Sequence, residues 1–422
     1  MSYNFYQPTR VLFGPGRLNE LGENIKNLNL GKKAAIVISN GKSTKESGSL
    51  DRTEKQLKDA GIDTVIFDKV ESNPLASTIM EGAAFMKENH CEFIVALGGG
   101  SVMDAAKIIA IMATNPGDVW DYAFGGHGGC KPYLETPLPV VAVTTTAGTG
   151  SEVDAWGVVN NEKYDEKIGL GGADASHPVL AVVDPKLMAT VPPKFTAFQG
   201  FDALFHSTEC YITSPANLMS DMFAITAIEN IGRYLARAVQ DGSDMEAREH
   251  VAFANTLSGH VMELSACSSE HSMEHAMSAM HPKLPHGAGL IMISLEYYKY
   301  FVEHHACDER FIRMAKALGR EDASEPMDFV RALADLQKAC GVDDLKMSDY
   351  GFKPEEFPEM AKKAKDTMGG LYAADRIELN EEDTVSKSQP PLQVVVWVGP
   401  HKGRLHARPK GRVSQALLLV RL

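Results

Sequence analysis

Residues 92–112 read E-F-I-V-A-L-G-G-G-S-V-M-D-A-A-K-I-I-A-I-M: a short apolar run, three glycines, then a helix-forming stretch. The run 92–98 has the length and apolar character of a buried strand, and 102–112 carries a helical pattern. Between them, Gly98, Gly99 and Gly100 permit a tight turn and close approach of the backbone to a ligand. The helix that follows aims its first N–H groups at anions such as a pyrophosphate. Ser101 is a candidate cap for that helix and Asp104 a favourable charge near its start. The stretch is neither a G-x-G-x-x-G fingerprint nor a P-loop, since no G-K-[ST] follows. A Gly-rich turn with no ligand is its plainer reading.

The same strand–turn–helix alternation extends to both sides. Residues 33–39, 64–68, 139–145 and 181–184 read as further buried strands, short, β-branched and bounded by Gly, Asn or Asp. Helical patterns at 53–60 and 76–89 lie between them. This spacing predicts βαβ units and a parallel sheet covered on both faces. From about residue 188 strand-like runs almost vanish and helical periodicity dominates through 196–213, 216–238, 246–280, 286–305, 309–318, 325–340 and 355–368. The expected architecture is therefore an α/β dinucleotide-binding domain over 1–187 followed by an all-helical metal-binding and catalytic domain over 188–385. The boundary lies near Asp184-Pro185, with V-P-P-K (191–194) at the entry to the helices.

Residues 386–422 do not fit that frame. They hold seven Lys/Arg and no Asp or Glu, against 35 basic and 55 acidic residues in 1–385. A basic tail for an anionic partner is one reading; a disordered or non-native extension is the expected one. With a formal net charge of −13, the chain is not expected to bind nucleic acid or anionic membranes. At 422 residues it exceeds one ordinary core. The six cysteines are scattered without close pairs, and M-S-Y-N-F-Y-Q-P-T-R has no signal-peptide pattern, so a reduced, cytoplasmic protein is expected. No segment approaches eighteen uninterrupted apolar residues, the length of a membrane span.

T-T-T-A-G-T-G-S-E (144–152) is a second small-residue loop directly after a strand, rich in hydroxyls and carrying Gly148 and Gly150. Either loop alone could be plain; two at strand C-termini mark the edge where α/β sheets bind nucleotides. The second constellation is H-S-M-E-H-A-M-S-A-M-H-P-K-L-P-H, which places His271, His275, His281 and His286 within sixteen residues. Upstream, D-A-L-F-H sets Asp202 and His206 four apart, on one face of a helix. Three imidazoles and one carboxylate suit a divalent transition metal without naming it. Spacing leaves open which histidines ligate: His271 and His275 share a helix face, and His286 follows the Pro285 turn.

At this point the residues match a family. F-Y-Q-P-T-R-V-L-F-G-P-G near the start, G-G-G-S-V-M-D-A-A-K, T-T-T-A-G-T-G-S-E-V, D-P-K-L-M-A-T-V-P-P, G-F-D-A-L-F-H-S-T-E-C-Y and H-S-M-E-H-A-M-S-A-M-H-P-K-L-P-H-G occur in order over roughly residues 5–385. The chain resembles the iron-containing (group III) alcohol dehydrogenases, and within them the butanol-dehydrogenase-like, aldehyde-reducing branch. The resemblance implies a metal held by Asp202, His206, His271 and His286, with His275 a non-ligand beside nicotinamide and substrate. It implies pyrophosphate at Gly98–Ser101 and Thr144, Thr145 and Thr149 along the cofactor. Asn73, Asp104 and Lys167 complete the expected cofactor set. The family's segment between the last two ligands is commonly one residue shorter, so His281 sits on an inserted loop with no assigned task. Nothing in the family corresponds to residues from Ser386 onward.

For the coenzyme, relatives that prefer NAD often carry an Asp after the first strand that bonds the ribose hydroxyl. This chain reads I-S-N-G-K-S-T-K, placing Gly41 there, with Lys42, Ser43 and Lys45 beside it. Without a carboxylate a 2′-phosphate is accommodated, so NADP is expected over NAD. Fe2+ is the expected metal, with Zn2+, Mn2+ or Ni2+ as alternatives. The expected reaction is hydride transfer between a small primary alcohol or aldehyde and nicotinamide, with the metal as Lewis acid and His275 relaying the proton. Trp156, Phe205 and Met280 are the expected pocket lining, and the N-terminal strand-forming segment is consistent with a homodimer. Two other readings are weighed. A lyase resembling dehydroquinate synthase needs a cluster of cations at the metal, and the segments around Asp202 and 271–286 offer only Lys283. A non-catalytic metal- or nucleotide-binding protein leaves both constellations intact together without a reason.

Overall fold

A computed structural model describes residues 3–379 and, as backbone alone, two short strands farther on. In chain order the first half runs β1 (Arg10–Phe13), α1 (Leu21–Leu28), β2 (Lys33–Ser39), α2 (Ser43–Glu46), α3 (Ser49–Asp59), β3 (Asp63–Val70), α4 (Ala76–Glu88), β4 (Phe93–Gly98), α5 (Gly100–Thr114), β5 (Val140–Thr144), β6 (Trp156–Asn161), β7 (Glu166–Gly171) and β8 (Leu180–Val183). Six strands form one sheet in the order β1-β8-β5-β4-β2-β3, every neighbouring pair parallel. Both faces are covered. Ile36, Val95, Leu97, Val141 and Val143 pack against Leu21, Ile25 and Leu57 of α1 and α3, while Ala35, Val37, Ile94 and Ala96 face the layer of α4 and α5. That two-sided burial is why these strands read as continuous apolar runs rather than alternating ones.

The second half is helical: α6 (Pro193–Ile212), α7 (Leu218–Gln240), α8 (Met245–Leu264), α9 (Ser269–Met280), α10 (His286–Glu303), α11 (Asp308–Ala317), α12 (Met327–Ala339) and α13 (Phe357–Ala374). The α/β domain followed by helices agrees with expectation, and helices begin at Pro193, directly after V-P-P. One helical run is corrected. Residues 246–280 are two helices, separated at Ser265–Ser268, where Ser268 hands its N–H and hydroxyl to Glu209 at 2.5 and 2.7 Å instead of continuing the turn.

Two strand assignments are added. β1 pairs along the sheet edge with β8, Arg10 opposite Leu180 and Phe13 opposite Val183. β6 and β7 form an antiparallel hairpin, Trp156 opposite Gly171 and Asn161 opposite Glu166. Its Gly, Asn and charged residues lack the β-branched run that marks a strand, so pattern reading passes over it. The hairpin rests on α5 so closely that a Cβ at Gly157 would stand 2.7 Å from the Asp104 carbonyl. Of the tail expected to be disordered or non-native, β9 (Gln393–Trp397) and β10 (Leu417–Arg421) pair antiparallel; the rest lies outside the described residues. Among the described residues no helix is long and apolar enough to cross a membrane.

Candidate active site

Asp202 and His206 sit on one face of α6, a helix buried along almost its whole length. His271 lies in the first turn of α9, and His286 opens α10 directly after Pro285. These four side chains converge. Asp202 Oδ1 is the hub: 3.5 Å from His206 Nδ1, 3.6 Å from His271 Nε2 and 3.4 Å from His286 Nε2. The His206 and His271 rings stack with centroids 4.4 Å apart. The longer loop before His286 does not displace it: His281 pins that loop, with its Nε2 3.2 Å from Glu356 and its ring 4.0 Å from that of Phe352.

The set fits a divalent ion on its own evidence. Asp202 Oδ1 and His271 Nε2 are buried yet have no hydrogen-bond partner. Buried polar atoms are rarely left so unless an ion or water completes them. Ligands bound at about 2.0–2.2 Å in a tetrahedral shell lie about 3.4 Å apart, close to the distances from Asp202 Oδ1 to the Nε2 atoms of His271 and His286. Electrostatics agree. Burial would raise the Asp202 carboxyl, but the imidazoles gathered round it, His286 and His271 donating hydrogen bonds among them, hold it well below the usual range. Burial pulls the His206 imidazole down to about 4, so it is neutral and ready to ligate.

Two carboxylates that sequence reading missed hold the outer nitrogens. Glu209 pairs with His271 Nδ1, and Glu274 with His286 Nδ1. A proton fixed on Nδ1 leaves the Nε2 lone pair turned toward Asp202 and available to a cation. Burial would lower both imidazoles, but Glu209 lifts His271 well above its usual value and Glu274 lifts His286. His206 has a weaker orienting partner, the Gly148 carbonyl 3.3 Å from its Nδ1. The only sequence signal for the two Glu residues is their spacing: Glu209 lies three residues after His206, Glu274 three after His271, so each shares a helix face with a ligand.

The two lysines weighed from the sequence fall differently about the cleft. Lys167, assigned with the cofactor set, is buried on β7 beside the metal residues, with Nζ 3.3 Å from Glu274 and 2.8 Å from Ser278 Oγ. Among the described residues it is the cation lining the cleft; Lys283 is not there. His275 is buried next to His286, ring centroids 5.5 Å apart, and its Nδ1 lies 2.8 Å from the Met368 sulfur. That sulfur is delivered by a break in α13, where Met368 takes φ −132° and ψ 41°. Burial and the Lys167 charge keep His275 well below its usual pKa.

The metal residues close one end of a cleft of about 490 Å3. Asn73, Ser101, Asp104 and Thr149 line it, as do Phe124, Trp156, Met262, Met368 and Leu371. Of the three expected lining residues only Trp156 is found there. Phe205 stacks on Tyr298 in the helical core, and Met280 packs against that core.

The two loops meet at the strand ends, but their glycines serve packing first. None of Gly98, Gly99 or Gly100 has a positive φ. A Cβ on Gly99 would stand 2.9 Å from Thr146, and one on Gly100 2.2 Å from Thr149. The close approach is thus of one loop to the other. Ser101 does not cap α5, whose N-cap Gly99 has no side-chain bond; its hydroxyl donates to the Ser72 carbonyl. Asp104 lies beyond the first turn and accepts from Ser151 Oγ at 2.5 Å and Val158 N at 3.0 Å. Thr144 is fully buried and donates to the Thr146 carbonyl, so it shapes its loop instead of facing the cleft. Thr145 N bonds the Gly98 carbonyl, and Thr149 Oγ1 accepts from Ser151 N. Asn73 donates to the Pro282 carbonyl at 3.1 Å, tying the first domain to the loop before His286. Gly41, Lys42 and Ser43 are exposed at the end of β2. Lys45, by contrast, is committed to Asp68 at 2.7 Å.

Gly150 joins the loop to the helices. Its φ is +66°, and a Cβ there would lie 2.5 Å from the backbone N of Gly259 on α8. Backbone cannot give way as a side chain can. Gly150→Ala is therefore expected to destabilise the protein by about 1–3 kcal/mol. A urea midpoint unchanged from wild type would show that the contact carries no weight.

Residues 8–185 match the family model for iron-containing alcohol dehydrogenase, and residues 196–386 that for the Fe-containing alcohol dehydrogenase family, C-terminal. The chain is 36% identical to 1,3-propanediol dehydrogenase of Citrobacter freundii over 86% of this chain and 93% of that one. It is 32% identical to the NADPH-dependent butanol dehydrogenase of Clostridium saccharobutylicum, over 84% and 88%. The crystal structure of an archaeal halo-thermophilic Red Sea brine pool alcohol dehydrogenase superposes with a TM-score of 0.85 at 34% identity, covering 91% of this chain and 97% of that one.

Proposed function

Because the chain belongs to the iron-containing alcohol dehydrogenase family, we propose that its cleft interconverts small primary alcohols, butanol-like in size, with their aldehydes, using NADP(H) in preference to NAD(H). The chain is a metal-dependent alcohol oxidoreductase that uses a nicotinamide cofactor. The observation that carries the proposal is the unsatisfied Asp202 Oδ1 among three imidazoles, at the end of a cleft that the two Gly-rich loops also border. Asp202, His206, His271 and His286 would hold an Fe2+ ion, which would supply Lewis acidity toward the alcohol or carbonyl oxygen.

The protein's own groups set the rest. Asp202 offsets one unit of the ion's charge. Glu209 and Glu274 keep the histidine lone pairs aimed inward. His275, neutral through burial and with Nδ1 turned to Met368, presents Nε2 to accept the hydroxyl proton and pass it outward. Phe124, Met262, Met368 and Leu371 offer apolar surface that suits an unbranched alkyl chain and excludes water. Among the described residues the one lysine or arginine lining the cleft, Lys167, is already shared with Glu274 and does not make the cationic cluster that elimination from a phosphorylated acid requires. The deciding assay compares reduction of aldehydes from acetaldehyde to hexanal with NADPH and NADH after loading Fe2+, Zn2+, Mn2+ or Ni2+. The absence of turnover under every condition would refute the proposal.

For the coenzyme, the support is the missing carboxylate at Gly41 with Lys42 exposed beside it. Open space permits the test, since a Cβ on Gly41 meets nothing closer than Ser39 Oγ at 3.4 Å. Gly41→Asp is expected to lower kcat/KM for NADPH by roughly 10–100-fold, about the worth of one charge-assisted hydrogen bond. Equal loss with NADH would show that position 41 does not face the ribose. A homodimer is retained as part of the proposal. β1 is an edge strand, and exposed Phe13 packs on Phe253 next to it.

A further inference from the structure

We infer that Cys267 is an additional ligand of the metal centre, a thiolate that reaches the ion from the cleft side. The inference rests on the reading of Asp202, His206, His271 and His286 as the metal site. Cys267 Sγ, a ring nitrogen of His206 and a ring nitrogen of His271 all lie within 4.8 Å of one another. Asp202, His271 and His286 form a second group within the same limit, and His271 belongs to both. Its Nδ1 is taken by Glu209, so Nε2 is the atom left for an ion. An ion there is flanked by both groups. With bonds of about 2.3 Å to sulfur and 2.0–2.1 Å to nitrogen, two ligands of one ion stand between about 3.5 and 4.4 Å apart. Cys267 is therefore within reach after a small side-chain adjustment.

Its position favours that role over a structural one. Cys210, Cys340 and Cys91 are buried, as unreactive thiols usually are, whereas Cys267 is half-buried and lines the cleft with Ser265, Ala266, His206 and His271. It lies in the break that separates α8 from α9, two residues before the first helical residue of α9. In the free chain the neighbouring Cys210 thiol and burial keep the Cys267 thiol protonated, and a bound cation is what deprotonates a coordinating thiol. A sulfur donor shifts preference toward thiophilic ions such as Zn2+ and Co2+ and away from Mn2+. Because it stands on the cleft side, it occupies the approach of the substrate oxygen and has to yield to it.

Cobalt substitution reads this directly. Metal-free protein is loaded with Co2+, metal content is measured by elemental analysis, and the near-ultraviolet thiolate-to-cobalt charge-transfer band is recorded. Wild type and Cys340→Ser, which alters a buried cysteine outside the cleft, are expected to show the band. Cys267→Ser and Cys267→Ala are expected to take up Co2+ and lose it. A Co2+-loaded wild type without the band overturns the inference and leaves the metal site standing, as does a band that persists in the Cys267 variants. A wild type that takes up no Co2+ overturns both.

Discussion

His271→Ala protein is expected to bind no metal and to oxidise no alcohol, the two losses appearing together. His271 is the ligand with most to lose. It belongs to two of the three groups of converging donors among the described residues, its buried Nε2 has no hydrogen-bond partner, and its ring stands against both Asp202 and Glu209. Without the ring, Asp202 keeps a buried charge with one fewer partner, and Glu209 loses the imidazole that balances it. Leaving a buried charge uncompensated costs about 3–5 kcal/mol, so reduced stability accompanies the loss. His206→Ala separates the two effects. That ring faces the Gly148 carbonyl and Asp202, and Asp202 keeps His271 and His286 beside it, so removing the ring strands no carboxylate and metal binding should fall with the fold intact. Metal content by elemental analysis and the rate with butanol are measured on the same samples. Full activity in a metal-free variant would sink the scheme.

Glu274→Ala is expected to weaken metal binding by about 10–100-fold, the usual worth of a carboxylate that orients a metal-bound histidine. The Glu274 carboxylate accepts from both His286 Nδ1 and Lys167 Nζ, so its removal frees the His286 ring and leaves Lys167 with Ser278 as its remaining partner. Titration of the ion with a competing chelator gives the affinity. At saturating metal much of the turnover should return, and Glu274→Gln should fall between wild type and Ala, since an amide oxygen still accepts one hydrogen bond. The pH dependence has a definite sign. In the metal-free chain burial would lower His286, but Glu274 raises it, so a proton competes with the ion for Nε2. Affinity therefore falls as pH falls through the raised histidine range, and in Glu274→Ala that fall moves to lower pH. An unchanged affinity and an unchanged pH profile would assign Glu274 to packing alone.

Much of the fold was legible because it is periodic. β2, β3, β4, β5 and β8 are apolar runs of the right length, and α6 carries Asp202 and His206 at helical spacing. The failures share a different cause. The β6–β7 hairpin has no strand-like composition and is held by its seat on α5, yet it delivers Trp156, Val158, Lys167, Ile168 and Gly169 to the cleft. The helix expected over 246–280 breaks at Ser268 because Glu209, fifty-nine residues away, outbids the helical hydrogen bond there. Gly98–Gly100 were legible as glycines that admit a close neighbour, but the neighbour proved to be Thr146 and Thr149 of the other loop.

The sequence by itself determined the α/β-then-helical order, the two loops at strand ends and the Asp202–His206 pair on one helix face. Each of these is a property of neighbours along one strand or helix, where covalent spacing sets geometry. Only the tertiary structure decided which nitrogens of His271 and His286 are taken by Glu209 and Glu274, that Lys167 stands with Glu274, and that Cys267 lies beside His206 and His271. Those outcomes depend on which buried polar groups find one another across the fold. Burial makes an unpaired charge costly enough to select the pairing, and no spacing within a single element records it.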